Sequence, residues 1–190
     1  YFDDNYRCYY EHHQGKRQRF KVRIRHYVDS DELFFEVKLK DKRGKTNKKR
    51  ISCSEFSVSE ISDEKLSMLR SFYLDIYHKE FRYDLHPALI VSYKRITLVS
   101  VHGGERVTID FDLGFESIAG SSVQISDDFI IVETKSADGR GLSDRSLKDN
   151  HIRKVKNCSK YCIGSVISGN VNKYNRFRPI IKMLQDKIAV

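Results

Sequence analysis

The stretch Lys21-Val22-Arg23-Ile24-Arg25 puts a cation at every second position and an apolar β-branched residue between. A β-strand sends successive side chains to opposite faces, so Lys21, Arg23 and Arg25 share one face and Val22 and Ile24 the other. The same period recurs at Glu36-Val37-Lys38-Leu39-Lys40 and at Lys48-Lys49-Arg50-Ile51. Like charges opposed on neighbouring strands repel. A fold that gathers them holds an anion or leaves them in solvent, and an alternating Lys/Arg row on a half-buried sheet also describes a solvated face. Three such rows favour the anion, and phosphate fits best. The planar guanidinium of Arg offers two parallel donors and stays charged, and Lys adds a mobile point charge.

Working outward, residues 19–27, 33–40 and 48–54 read as strands. Arg43-Gly44 is the turn of a hairpin joining the second to the third. Residues 59–62 offer N-cap candidates, and Leu66, Leu69, Tyr73, Ile76 and Tyr77 follow at helical spacing, which predicts an amphipathic helix over 62–81. Residues 88–101 read as a long strand. Gly103-Gly104 predicts a two-residue hairpin turn, and 106–113 alternate, with Arg106, Thr108, Asp110 and Asp112 on one face. Residues 129–135 read as a buried strand carrying Glu133 and Lys135. Leu142–Val155, Ser159–Ile167 and Phe177–Ile188 read as helices, with Pro179 in the first turn of the last. The fold class expected is α+β: an antiparallel sheet or barrel with helices to one side.

The composition agrees with a polyanionic partner. The 190 residues carry 35 Lys and Arg against 26 Asp and Glu, for a net charge of +9. At 39% hydrophobic and 32% charged the chain is globular, and no apolar run approaches the ~20 residues of a membrane helix. No signal peptide is visible, and Tyr1-Phe2 reads as the middle of a longer chain. Cys8, Cys53, Cys158 and Cys162 form no C-x-x-C pair, which points to structural thiols in a reducing, cytoplasmic setting. His12-His13 has no further ligand at metal spacing.

If the basic rows face inward, the interior holds Arg23, Arg25, Lys38, Lys40, Lys48, Arg50, Arg95 and Arg106, with Glu36, Asp110, Asp112 and Glu133 as partial counter-charges. Burying unpaired cations costs several kcal/mol each, against a domain stability of ~5–15 kcal/mol. An enclosed, net positive interior therefore implies a bound anion. A carboxylate among the cations suits a divalent metal that bridges phosphate oxygens, and Glu133, centred in an apolar strand, is the candidate.

In order along the chain, Tyr1-Phe2-Asp3, Lys21-Val-Arg-Ile-Arg25, Glu36-Val-Lys38, Lys48-Lys-Arg50, Val132-Glu-Thr-Lys135, Ser159-Lys-Tyr-Cys162 and Asn175-Arg-Phe-Arg-Pro179 resemble the VTC domain. This is the polyphosphate polymerase domain of the vacuolar transporter chaperone family, within the triphosphate tunnel metalloenzymes. The resemblance implies one domain over 1–190, a tunnel of antiparallel strands, and synthesis of inorganic polyphosphate from the γ-phosphate of ATP with Mn²⁺ or Mg²⁺. It implies that Arg23, Arg25, Lys38, Lys48, Arg95 and Arg106 are lumen phosphate ligands, and that Tyr93, Ser159 and Lys160 contact substrate. It also implies that Glu133 holds the metal. In two respects the chain departs from the family: the first tunnel strand is expected upstream of Tyr1, and Asn157 stands where some members have lysine. Three rival readings remain. Hydrolysing relatives often carry E-x-E-x-K, where this chain has Glu36-Val-Lys-Leu-Lys, which favours the polymerase. A non-catalytic polyphosphate-binding module would bind polymer without turning over ATP. RNA binding ranks last, because Val, Ile and Leu rather than aromatics are interleaved with the basic residues.

Overall fold

A computed structural model describes residues 1–54 and 60–189. The strands are β1 (Phe2–Asp3), β2 (Arg19–Tyr27), β3 (Glu32–Lys40), β4 (Thr46–Cys53), β5 (His86–Pro87), β6 (Leu89–Val99), β7 (Arg106–Ser117), β8 (Ser122–Ile125), β9 (Ile131–Lys135) and β10 (Ile188–Ala189). The helices are α1 (Arg7–His13), α2 (Asp63–Tyr77), α3 (Leu142–Asp149), α4 (Lys160–Ile167) and α5 (Arg178–Gln185), with a 3₁₀ turn at Asn175–Phe177. The fold is α+β.

One antiparallel sheet runs β4-β3-β2-β1-β5, and a second runs β10-β8-β7-β6 with β9 also on β7. In the first sheet the apolar alternates of β2 and β3, Phe20, Val22, Phe35, Val37 and Leu39, are fully buried. They pack with Leu69, Tyr73 and Tyr77 of α2. Asp63 and Glu64 sit in the first turn of α2, where the helix dipole favours negative charge. The helix stops at Tyr77, short of the expected residue 81, because His78 turns left-handed with φ 54°. Ser62 is its N-cap residue; Ser59, the other candidate, lies outside the described residues.

The two sheets are joined along β1. The Tyr1 amino group donates to the Leu89 carbonyl (2.8 Å), and the Ala88 N–H donates to the Tyr1 carbonyl (3.0 Å). Among the described residues β4 and β9 each pair on one side only, and no closed ring of strands is found. Among the described residues the strands thus form two antiparallel sheets joined along β1, and not the closed barrel expected from the sequence.

Two further expectations change, and one element was not anticipated. The Gly103-Gly104 turn is longer than two residues: Ser100 and Glu105 close it with a hydrogen bond, and both glycines take positive φ. The helix expected over 142–155 ends at Asp149, and none of its residues is buried. Residues 7–13, with no reading assigned from sequence, form α1. Its N-terminus is satisfied from a distance by Asp3, whose carboxylate accepts from the Cys8 N–H (2.8 Å) and the Tyr9 N–H (3.2 Å).

Candidate phosphate-binding lumen

Register places the basic rows side by side. Lys21, Lys38 and Lys48 stand opposite one another across β2, β3 and β4, and Arg23, Glu36 and Arg50 form the next row. A row of three lysines is the repulsive arrangement that the sequence implied. It is relieved by one carboxylate: Glu36, whose side chain is fully buried, accepts from Arg23 Nε (2.7 Å) and Nη2 (2.5 Å) and from Lys48 Nζ (2.5 Å), with Arg25 Nε at 4.0 Å. Burial pushes the Glu36 carboxyl up, but the Arg23 charge and the Lys48 hydrogen bond outweigh it and bring it down to about 2. Among the described residues Lys38 has no such partner. Burial first, and Arg23 second, lower its ammonium to about 8. Arg50 stacks over the Phe34 ring at 4.5 Å.

On the second sheet Arg95 and Thr97 of β6 stand opposite Asp110 and Thr108 of β7, and Thr108 stands opposite Glu133 of β9. Arg95 donates twice to Asp110, at 2.5 and 2.7 Å, and Lys160 at the start of α4 donates to the same carboxylate. Burial pushes the Asp110 carboxyl up, yet these cations hold it below the ordinary carboxylate range.

A β-bulge decides which carboxylates point inward. Tyr93 lies opposite both Asp112 and Leu113, and Asp112 takes φ 56°. The bulge switches the parity of β7. Asp112, expected on the face of Asp110, instead points outward and pairs with Lys94 (2.9 Å) and Gln124 (3.0 Å). Beyond the bulge the inward face becomes apolar, with Leu113 and Phe115 buried. Helix α4 packs there, apolar on every side, with Tyr161 to Ser165 all buried. Gly164 permits the approach: a Cβ at that position would lie 2.3 Å from Phe115 Cδ1 and 2.7 Å from Leu89 Cδ2. The packing aims the N-terminus of α4 at the basic rows. Lys21 Nζ donates to the Ser159 hydroxyl at 2.8 Å, and Ser159 caps the helix through the Cys162 N–H.

The two polar faces therefore meet. Arg25 Nη2 donates to the Tyr93 hydroxyl at 3.0 Å, and Lys160 Nζ lies 4.7 Å from the Tyr93 ring centre. Arg23 Nη1 donates to the Tyr1 hydroxyl at 2.9 Å, and the Tyr1 ring stacks on Tyr161. A cavity of about 290 Å³ opens beside this junction, lined among others by Tyr1, Lys21, Arg23, Glu36 and Lys38.

Of the residues predicted from sequence, Arg23, Arg25, Lys38, Lys48, Tyr93, Arg95, Ser159 and Lys160 come together here. Arg106 does not join them; it is exposed at the end of β7, opposite Lys135. Glu133 lies on the inward face but not in a buried strand. Its side chain is 52% exposed and pairs with Lys135 at 3.4 Å, and no residue of β9 is buried on either face. No cluster of three His, Cys, Asp or Glu able to hold a metal exists among the described residues. His12 instead contacts Cys162 Sγ through Nδ1 at 3.2 Å. Sequence reasoning assigned no role to Tyr1 and Lys21. The i−2 spacing of Lys21 from Arg23 was available as a signal; Tyr1 was marked only by its place in the Tyr1-Phe2-Asp3 motif.

A model of the VTC domain matches residues 1–168. The chain belongs to the VTC domain family. That match spans every lumen residue named above, from Tyr1 to Lys160, and makes a polyphosphate-related function consistent with the site. No curated protein and no solved structure matches the chain at a significant level. No helix among the described residues is long and apolar enough to cross a membrane.

Proposed function

We propose that this VTC domain is a polyphosphate polymerase that moves the γ-phosphate of ATP onto a growing inorganic polyphosphate chain. The observation that supports it best is the junction at Tyr93. There cations from two sheets and a helix converge, and among the described residues the carboxylates paired with them are Glu36 and Asp110. Glu36 and Asp110 are already committed to holding those cations in place. The positive charge that remains suits an extended triphosphate, with Arg23, Arg25 and Arg95 bridging its oxygens.

In this reading the terminal phosphate oxygen of the chain attacks the γ-phosphorus in line. The new P–O bond forms as the bond to the β,γ-bridging oxygen breaks, and ADP leaves with the electron pair. The attacking oxygen is already anionic, so no general base is required. The chain's own residues orient the triphosphate and stabilise charge on its equatorial oxygens.

Glu133 is the residue proposed to hold the divalent metal, Mn²⁺ or Mg²⁺. A half-exposed carboxylate on the inward face, beside the buried and unpartnered Thr108 hydroxyl, fits a hard cation that takes most of its ligands from phosphate and water. Such a cation would supply charge neutralisation at the phosphates.

The test is incubation with ATP and Mn²⁺, with polymer resolved on a gel and free phosphate measured alongside. Polymer is expected, and Arg25→Ala is expected to remove it. Free phosphate without polymer would replace the polymerase with a hydrolase. Tight polymer binding without ATP turnover would leave a binding module. Unchanged polymer yield in Arg25→Ala would discard the site.

A further inference from the structure

The lumen reading leaves a second basic cavity unused. It has a volume of about 370 Å³ and lies where β2 begins, against α1 and the end of α2. Arg7, Lys16, Arg17, Arg19 and Lys79 contribute to its lining, with Glu11 as its carboxylate. Glu11 is already engaged by Arg7 at 3.1 Å and Lys16 at 3.6 Å. Arg17, Arg19 and Lys79 have no carboxylate within ion-pair distance among the described residues.

The two cavities adjoin at the start of β2, where Arg19 and Phe20 line both. On the inner side Arg19 stands opposite Lys40, in the row beyond Lys21 and Lys38. No carboxylate occurs in those two rows, whereas the next row contains Glu36. The electrostatic field there is strong enough to register on His12. Burial first, then Lys21, Arg19, Arg176 and Lys40, push its imidazole down to about 3, so it stays neutral and adds no charge. Cations crowded on both sides of one arginine repel unless an anion spans them. A single small anion fills one cavity. A ligand with repeated charge fills both.

We propose that the two cavities form one track for a polyanion, so that a phosphate chain longer than the lumen runs out over Arg19 to Arg17 and Lys79. This rests on the lumen reading and adds a second binding surface to it, the outer cavity at Arg17 and Lys79, which holds the chain outside the sheets as well as between them.

The experiment measures binding of tripolyphosphate and of long-chain polyphosphate to the whole chain and to an Arg17→Glu/Lys79→Glu variant. Both residues are exposed, so the fold should survive, and thermal unfolding checks that it does. The variant is expected to bind the long chain about ten-fold more weakly and tripolyphosphate unchanged. Arg25→Ala is expected to weaken both ligands. Equal loss for both ligands in the double variant, or no loss for the long chain, overturns the track while leaving the lumen reading intact. Tripolyphosphate binding that ignores Arg25→Ala overturns the lumen reading and the continuous track with it. A single-stranded oligonucleotide of matched charge is the last arm. If the double variant loses the oligonucleotide but keeps the long polyphosphate, the outer cavity is a nucleic-acid surface and the proposal fails.

Discussion

Replacing Glu36 with Gln removes the counter-charge that holds Arg23, Arg25 and Lys48 together while keeping the shape of the side chain. Glu36 is fully buried, and Arg23 and Arg25 are only 15% and 17% exposed. Its carboxyl is held at about 2 against an ordinary 4.5. At 1.36 kcal/mol per unit, that difference corresponds to about 3 kcal/mol of stabilisation, within reach of the ~3–5 kcal/mol seen when one partner of a buried ion pair is removed. For a chain of this size the melting temperature should fall by roughly 6–12 °C. The sign with pH follows from the lowered value. The stabilisation is complete above 4.5 and is lost as pH falls through about 2, so the gap between parent and Glu36→Gln is constant near neutrality and closes in acid. Thermal unfolding with and without tripolyphosphate then tests the site itself. An anion that takes the place of the missing carboxylate should stabilise the variant more than the parent. A variant as stable as the parent refutes the ion-pair reasoning. Tripolyphosphate that stabilises the parent more than the variant refutes the lumen as the anion site.

Two further outcomes follow from the same geometry. Lys38 is lowered from 10.5 to about 8, so its cationic form is complete only below that value. A bound phosphate favours the cation, so tripolyphosphate affinity should fall as pH rises above about 8, with Lys38→Met removing that fall. Calorimetric titration across that range checks both. Gly164→Ala should destabilise the chain by ~1–3 kcal/mol, because the added methyl meets the buried Phe115 and Leu89. Urea unfolding measures that loss. The accompanying displacement of Ser159 and Lys160 should weaken tripolyphosphate binding in the same protein.

Much of the lumen was legible because the inner faces of β2, β3 and β4 obey a strict period of two. Arg23, Arg25, Lys38 and Lys48 landed where alternation put them, and the hairpin between β3 and β4 fixed their register. Helix α1 was hidden for a physical reason. Tyr6 at its N-cap is left-handed and offers no side-chain bond, and the cap comes from Asp3, outside the local window in which helix starts are read. Asp3 also accepts from the Tyr161 hydroxyl at 2.5 Å, so the residue that caps α1 is part of what places α4, and with it Lys160. Glu133 misled because Phe129 to Val132 are apolar enough to suggest burial. A short apolar run does not say whether anything covers it, and Ile130 and Val132 stay exposed.

The bulge at Asp112 was the hardest feature to anticipate and has the largest electrostatic consequence. A left-handed non-glycine residue inside a strand has little local signature beyond the tolerance of Asp for that region. Without the extra residue, Asp112 would sit beside Asp110 on the inward face and Leu113 would turn outward. Two adjacent carboxylates would then compete for Arg95 and Lys160, raising each other's affinity for protons and cancelling positive charge next to Tyr93. With the bulge, Asp112 takes Lys94 on the outer face, Asp110 alone serves both inner cations, and Leu113 and Phe115 supply the apolar seat on which α4 rests. One inserted residue thus sorts charge and packing together. The inward face keeps its positive excess because a carboxylate that alternation alone would have placed there is held on the outer face by Lys94.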